Sequence, residues 1–80
     1  MKKTSEITVG DVIQVQVKNG TYIGVVTEVS KDSVMTDRCE GSYDAMSRIM
    51  TWQTTGHMIK IKKNKITAIG LPERSRLVVK

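Results

Sequence analysis

From Ile13 the chain alternates apolar and polar side chains. Ile13, Val15 and Val17 are separated by Gln14, Gln16 and Lys18, the period of two that gives a strand one oily and one wet face. Thr8-Val9-Gly10-Asp11 reads as the turn that launches this strand. Asn19-Gly20 reads as the turn that ends it, a dipeptide suited to a type I′ hairpin in which both central residues accept positive φ. A second strand is expected from Thr21 to Val29, with Ile23, Val25 and Val29 on one parity and Tyr22 and Val26 on the other. Gly24 inside it predicts a bulge or sharp bend. Ser30-Lys31-Asp32-Ser33 is a turn dense in residues that bond local backbone, and Val34-Met35-Thr36 is a short third strand.

Between residues 37 and 56 the alternation stops. Ser42 could cap a short helix from Tyr43 to Met50, which would place Tyr43, Met46, Ile49 and Met50 along one side; a long polar loop is the competing reading. Alternation resumes with Ile59 and Ile61 between Lys60 and Lys62. Lys63-Asn64 reverses the chain, Ile66 to Leu71 supplies another strand that Pro72 stops, and Leu77-Val78-Val79 can add an edge strand. The expectation is a single all-β domain: a small, strongly bent antiparallel barrel of four or five strands, with a helix or loop inserted after the third. An N-terminal arm (1–8) precedes it, and 72–80 forms a tail or edge strand.

Eighty residues leave room for one small core, here β-branched and without phenylalanine. The excess charge is concentrated. From His57 to Lys80, Lys60, Lys62, Lys63, Lys65, Arg74, Arg76 and Lys80 face only Glu73, a balance of +6, whereas the preceding residues sum to −1. A basic hairpin, Lys60 to Lys65 with Asn64 at its turn, can therefore gather phosphates; Arg74 and Arg76 would extend it. The bland counterpart is a solvated edge, since lysines also protect open strands from aggregation.

Two blocks resemble the Sm-like (LSm and Hfq) family within the wider set of SH3-like barrels. The first is Val15-Gln16-Val17-Lys18-Asn19-Gly20 followed by Tyr22-Ile23-Gly24-Val25-Val26. The second is Ile59 to Ile66 running on to Ile69-Gly70-Leu71-Pro72-Glu73. The resemblance implies a bent five-stranded barrel that assembles into a homo-oligomeric ring and binds single-stranded RNA. The family's Arg-Gly falls on Lys62 and Lys63, while its aspartate and base-reading asparagine fall on Ser30 and Val34. Phosphate contact is thus the expectation, without uridine-type base reading.

Other chemistry is sparse. Cys39 and His57 are single, so no disulfide framework, metal spacing or complete triad is available, and neither catalysis nor a cofactor is expected. No apolar run approaches the roughly 20 residues of a membrane span, and an unpaired thiol points to the cytoplasm. Trp52 is either a plug for the core or an anchor for a base or protein. With Tyr43, Met46 and Met50 it defines the alternative reading, a protein-interaction module such as a small inhibitor or adaptor of a mobile genetic element.

Overall fold

Among the described residues there are six strands: β1 (Val12–Val17), β2 (Gly20–Val29), β3 (Ser33–Asp44), β4 (Ile49–Lys62), β5 (Ala68–Ile69) and β6 (Ser75–Val78), with a 3₁₀ turn at Lys63–Lys65. This computed structural model describes residues 6–79; the first five residues of the expected N-terminal arm and Lys80 lie outside the described residues. The strands form one curled, half-barrel sheet in the order β5-β1-β2-β3-β4-β6. All pairs are antiparallel except β4 with β6.

The alternation of the first two strands is what builds the interior. Ile13 and Val15 point inward beside Gly24 and Tyr22, and together with Ile7, Val26 and Val34 they form the main core. Ile61, Ile66, Ile69 and Tyr22 close over it from the rim. Each fully buried valine or isoleucine contributes about 1.5–3 kcal/mol, so Ile7, supplied by the expected arm, is a substantial part of so small a core.

Gly24 is required for close approach. A Cβ there would lie 2.9 Å from Thr36 Cβ and 2.9 Å from Tyr22 Cε1. The Tyr22 ring fills the space that Gly24 vacates, and its hydroxyl reaches Thr36 Oγ1 at 2.8 Å. The register shift lies two residues beyond Gly24, between Val26 and Glu28, where β2 carries an extra residue against β3. The expected turn Thr8–Asp11 is present: Asp11 N–H donates to the Thr8 carbonyl and Thr8 N–H to Asp11 Oδ2, with Gly10 at φ +96°. The β1–β2 turn departs from type I′, because Asn19 keeps a negative φ and Gly20 alone takes a positive one, +149°.

The expected helix over Tyr43–Met50 is instead the far half of a long hairpin. β3 and β4 pair continuously from Ser33↔Lys62 to Asp44↔Ile49, interrupted by a bulge at Thr55–His57 around Gly56. The pattern misleads for a physical reason: Tyr43 and Met50, one helical face apart in sequence, are also direct cross-strand partners, so a hairpin puts them together just as a helix would. Asp44 closes the turn. Its carboxylate accepts from Met46 N–H at 3.0 Å and from Ser47 Oγ at 2.9 Å, and these bonds hold its pKa below the ordinary 3.8. Arg48, at φ +59°, completes the turn by donating its N–H to the Asp44 carbonyl.

Where β3 passes Arg38 it leaves β2: the last pair is Gly24↔Arg38, and from Cys39 onward β3 pairs only with β4. The outer hairpin and β6 thus project as a three-stranded blade, giving extents of 41 × 25 × 23 Å. Six strands therefore replace the expected five, and the tail 72–80 supplies the sixth.

Candidate nucleic-acid interface

The basic hairpin is built by the alternation that predicts it. Ile61 packs against the core, which turns Lys60 and Lys62 to the opposite face of β4. The 3₁₀ turn then swings the chain back so that Ile66 also meets the core, while Lys63 stays at the rim. Because β3 and β4 are antiparallel, the end of β4 lies beside the start of β3. The Ser30–Ser33 turn is held there by the Lys63 N–H donating to the Asp32 carbonyl at 2.9 Å. Lys31, Lys60, Lys62, Lys63, Asn64, Asp32 and Ser33 consequently line one open hollow of about 630 Å³.

Four lysines and one aspartate line that hollow. Such a site holds phosphate oxygens by point charge; without guanidinium forks it has no bidentate geometry with which to read a base edge. Exposed lysines are screened within about 8–10 Å at physiological salt, so any anion held here is held salt-dependently.

Of the expected cluster, Lys60, Lys62, Lys63 and Asn64 come together. Lys65 is exposed on the 3₁₀ turn and does not line the hollow. Arg74 and Arg76 sit at the other end of β4, beside Met50 and Thr51, where Arg76 Nε donates to Thr51 Oγ1 at 2.8 Å. Lys31 is the lysine that local pattern misses; only the pairing of the third and fourth strands brings its turn to this hairpin.

Of the alternative set, Tyr43, Met50 and Trp52 gather in a second hollow of about 380 Å³, which Arg48, Pro72, Glu73, Arg74 and Ser75 complete. Met46 does not join them: it stands at the hairpin tip, 97% exposed. Trp52 is half-buried on the blade, not a plug of the barrel. Its indole lies over Gly41 and its Nε1–H donates to Ser75 Oγ at 3.2 Å. A third opening of about 440 Å³ lies where β2 and β3 part, between Val17, Thr21 and Ile23 on one wall and Cys39, Gly41 and Trp52 on the other.

Cys39 is buried, and that burial, aided by the nearby Asp37 carboxylate, pushes its thiol pKa above 9.0, which makes it a poor nucleophile. His57 is exposed on the bulge. Among the described residues no group of three His, Cys, Asp or Glu is placed to hold a metal ion, and no helix is long and apolar enough to cross a membrane. Comparison with protein families, with characterised proteins and with solved structures finds no match to this chain.

Proposed function

We propose that this protein is a non-catalytic binder of single-stranded nucleic acid that seats phosphates in the hollow of Lys31, Lys60, Lys62 and Lys63. One observation carries the reading: lysines from two segments about thirty residues apart converge on one open concavity, with a single carboxylate against them. Local edge protection accounts for Lys60 and Lys62 but not for a third and fourth lysine delivered by two turns. The preference for RNA, the ring-like homo-oligomer and the cytoplasmic setting follow from the Sm-like resemblance and the free thiol, and belong to the same proposal. Titration of a labelled single-stranded RNA at low and moderate salt tests it: binding should weaken steeply with salt and with Lys62→Glu. A protein that ignores RNA at low salt does not have this function.

A second reading is a protein-interaction module, favoured by the gathering of Tyr43, Met50 and Trp52 beside the edge of β3 that β2 leaves unpaired. Under it, Trp52→Ala with Met50→Asp abolishes capture of a partner that the wild type holds, and leaves RNA affinity alone.

A further inference from the structure

We infer that the hollow between Tyr43 and Trp52, rimmed by Arg48 and Arg74, docks a base of the same nucleic-acid strand whose phosphates occupy the lysine hollow; the inference rests on the reading proposed above. Three observations converge on it.

The first is the aromatic pair. Of the chain's three aromatic residues, Tyr22 is committed to filling the space over Gly24, and the other two line this hollow. Trp52 is fixed in orientation, its ring against Gly41 and its N–H on Ser75 Oγ, which in turn donates to the Glu73 carbonyl. A ring held in place before its ligand arrives loses little freedom on stacking.

The second is the backbone. Among the described residues, Arg48 (φ +59°) and Arg74 (φ +54°) are the only non-glycine residues with positive φ, and both line this hollow. Glycine or asparagine fills such positions at lower cost, so what arginine adds is its side chain. A guanidinium stacks on a planar ring and forks onto a phosphate, whereas Glu73 is the only carboxylate lining the hollow.

The third is the path. Asp37 and Cys39 share a face of β3, so their partners Met58 and Thr54 share one on β4, and the bulge between them conserves parity. Met50, Trp52, Lys60 and Lys62 therefore lie on one face of a single strand. A chain laid along that face meets aromatic rings at one end and ammonium groups at the other. A volume of about 380 Å³ is at the small end for ligand sites, sized for one ring and its attached groups.

Trp52 is the only tryptophan and lines both this hollow and the opening between β2 and β3, so its emission reports on those two places, and Tyr43, which lines this hollow and not that opening, tells them apart. The test titrates a mixed-sequence RNA of about 12 nucleotides, and separately inorganic polyphosphate, which has the charge but no bases. RNA should quench Trp52 while polyphosphate binds without quenching. Tyr43→Ala, at an exposed position, should lower RNA affinity about tenfold and leave polyphosphate affinity unchanged. RNA that binds without moving Trp52 emission and is indifferent to Tyr43→Ala overturns the base site, gives this hollow to a protein surface, and leaves the phosphate reading standing. Failure of both RNA and polyphosphate to bind at low salt overturns the two together.

Discussion

Gly41 lies directly beneath the Trp52 indole: a Cβ at Gly41 would stand 2.9 Å from Trp52 Cζ3 and 3.1 Å from both Cε3 and Cη2. The two are cross-strand partners, so the absence of a side chain on β3 is what lets the largest side chain on β4 lie flat across the blade. Gly41→Ala should therefore lift the ring, break its bond to Ser75, and cost about 1–3 kcal/mol by overpacking. Urea denaturation gives the loss, and a shifted Trp52 emission maximum in the folded protein shows that the ring has moved. Unchanged emission would mean that the indole does not depend on Gly41.

Inside the barrel, Thr36 joins three strands through one hydroxyl. Thr36 Oγ1 donates its only proton to the Ile59 carbonyl at 2.8 Å, so Tyr22 must be the donor in the 2.8 Å bond between their hydroxyls. Thr36→Val keeps the shape but strands both partners, and should cost about 1–3 kcal/mol in urea denaturation. Adding Tyr22→Phe should cost less on the valine background than on wild type, because the bond it removes is already gone.

The legibility of these features follows burial. β1 was readable because Ile13 and Val15 are buried while Gln16 is exposed, although Val17 on the same parity stands exposed; in β2 the parity reading fails, since Ile23 and Val26, on opposite parities, are both buried. The outer hairpin was not readable: Glu40, Gly41, Ser42, Tyr43 and Asp44 are all exposed, and Ile49 to Trp52 are half-buried on both parities, so the contrast that marks a strand vanishes. The lysine cluster on β4 was legible because it is local. Lys31 and the convergence of Arg48 with Arg74 were not, since each depends on which distant segments pair.

At high pH two acidic groups weaken the fold. Burial raises the Tyr22 pKa above 10.0 despite its bond to Thr36, and raises the Cys39 thiol above 9.0. Each therefore ionises more readily in the unfolded chain, and ionisation favours unfolding. The stability they contribute is intact below pH 9 and declines as pH rises through the unfolded and then the folded values. Urea midpoints between neutral and alkaline pH should fall in wild type, and less steeply in a Cys39→Ala, Tyr22→Phe variant.

Arg48 gives a stability–function signature. Replacing it by glycine removes the cost of a positive φ in the turn and should leave the protein as stable or up to about 1 kcal/mol more stable. RNA affinity should fall nonetheless, because the guanidinium is lost. Thermal unfolding and RNA titration of the same sample check both; a destabilised variant with unchanged affinity would make Arg48 purely structural.

The most direct measurement is the salt dependence of RNA binding by wild type, Lys31→Glu and Arg76→Glu. If about three phosphates sit in the lysine hollow, wild-type affinity should drop roughly 20-fold between about 50 and 200 mM salt. Lys31→Glu should weaken binding and shrink the slope by about 0.7–1, while Arg76→Glu, outside both hollows and beside Thr51 on the face of the blade opposite Trp52, should have a smaller effect on both. Equal effects of the two substitutions, or binding that ignores salt, would contradict a phosphate site in this hollow.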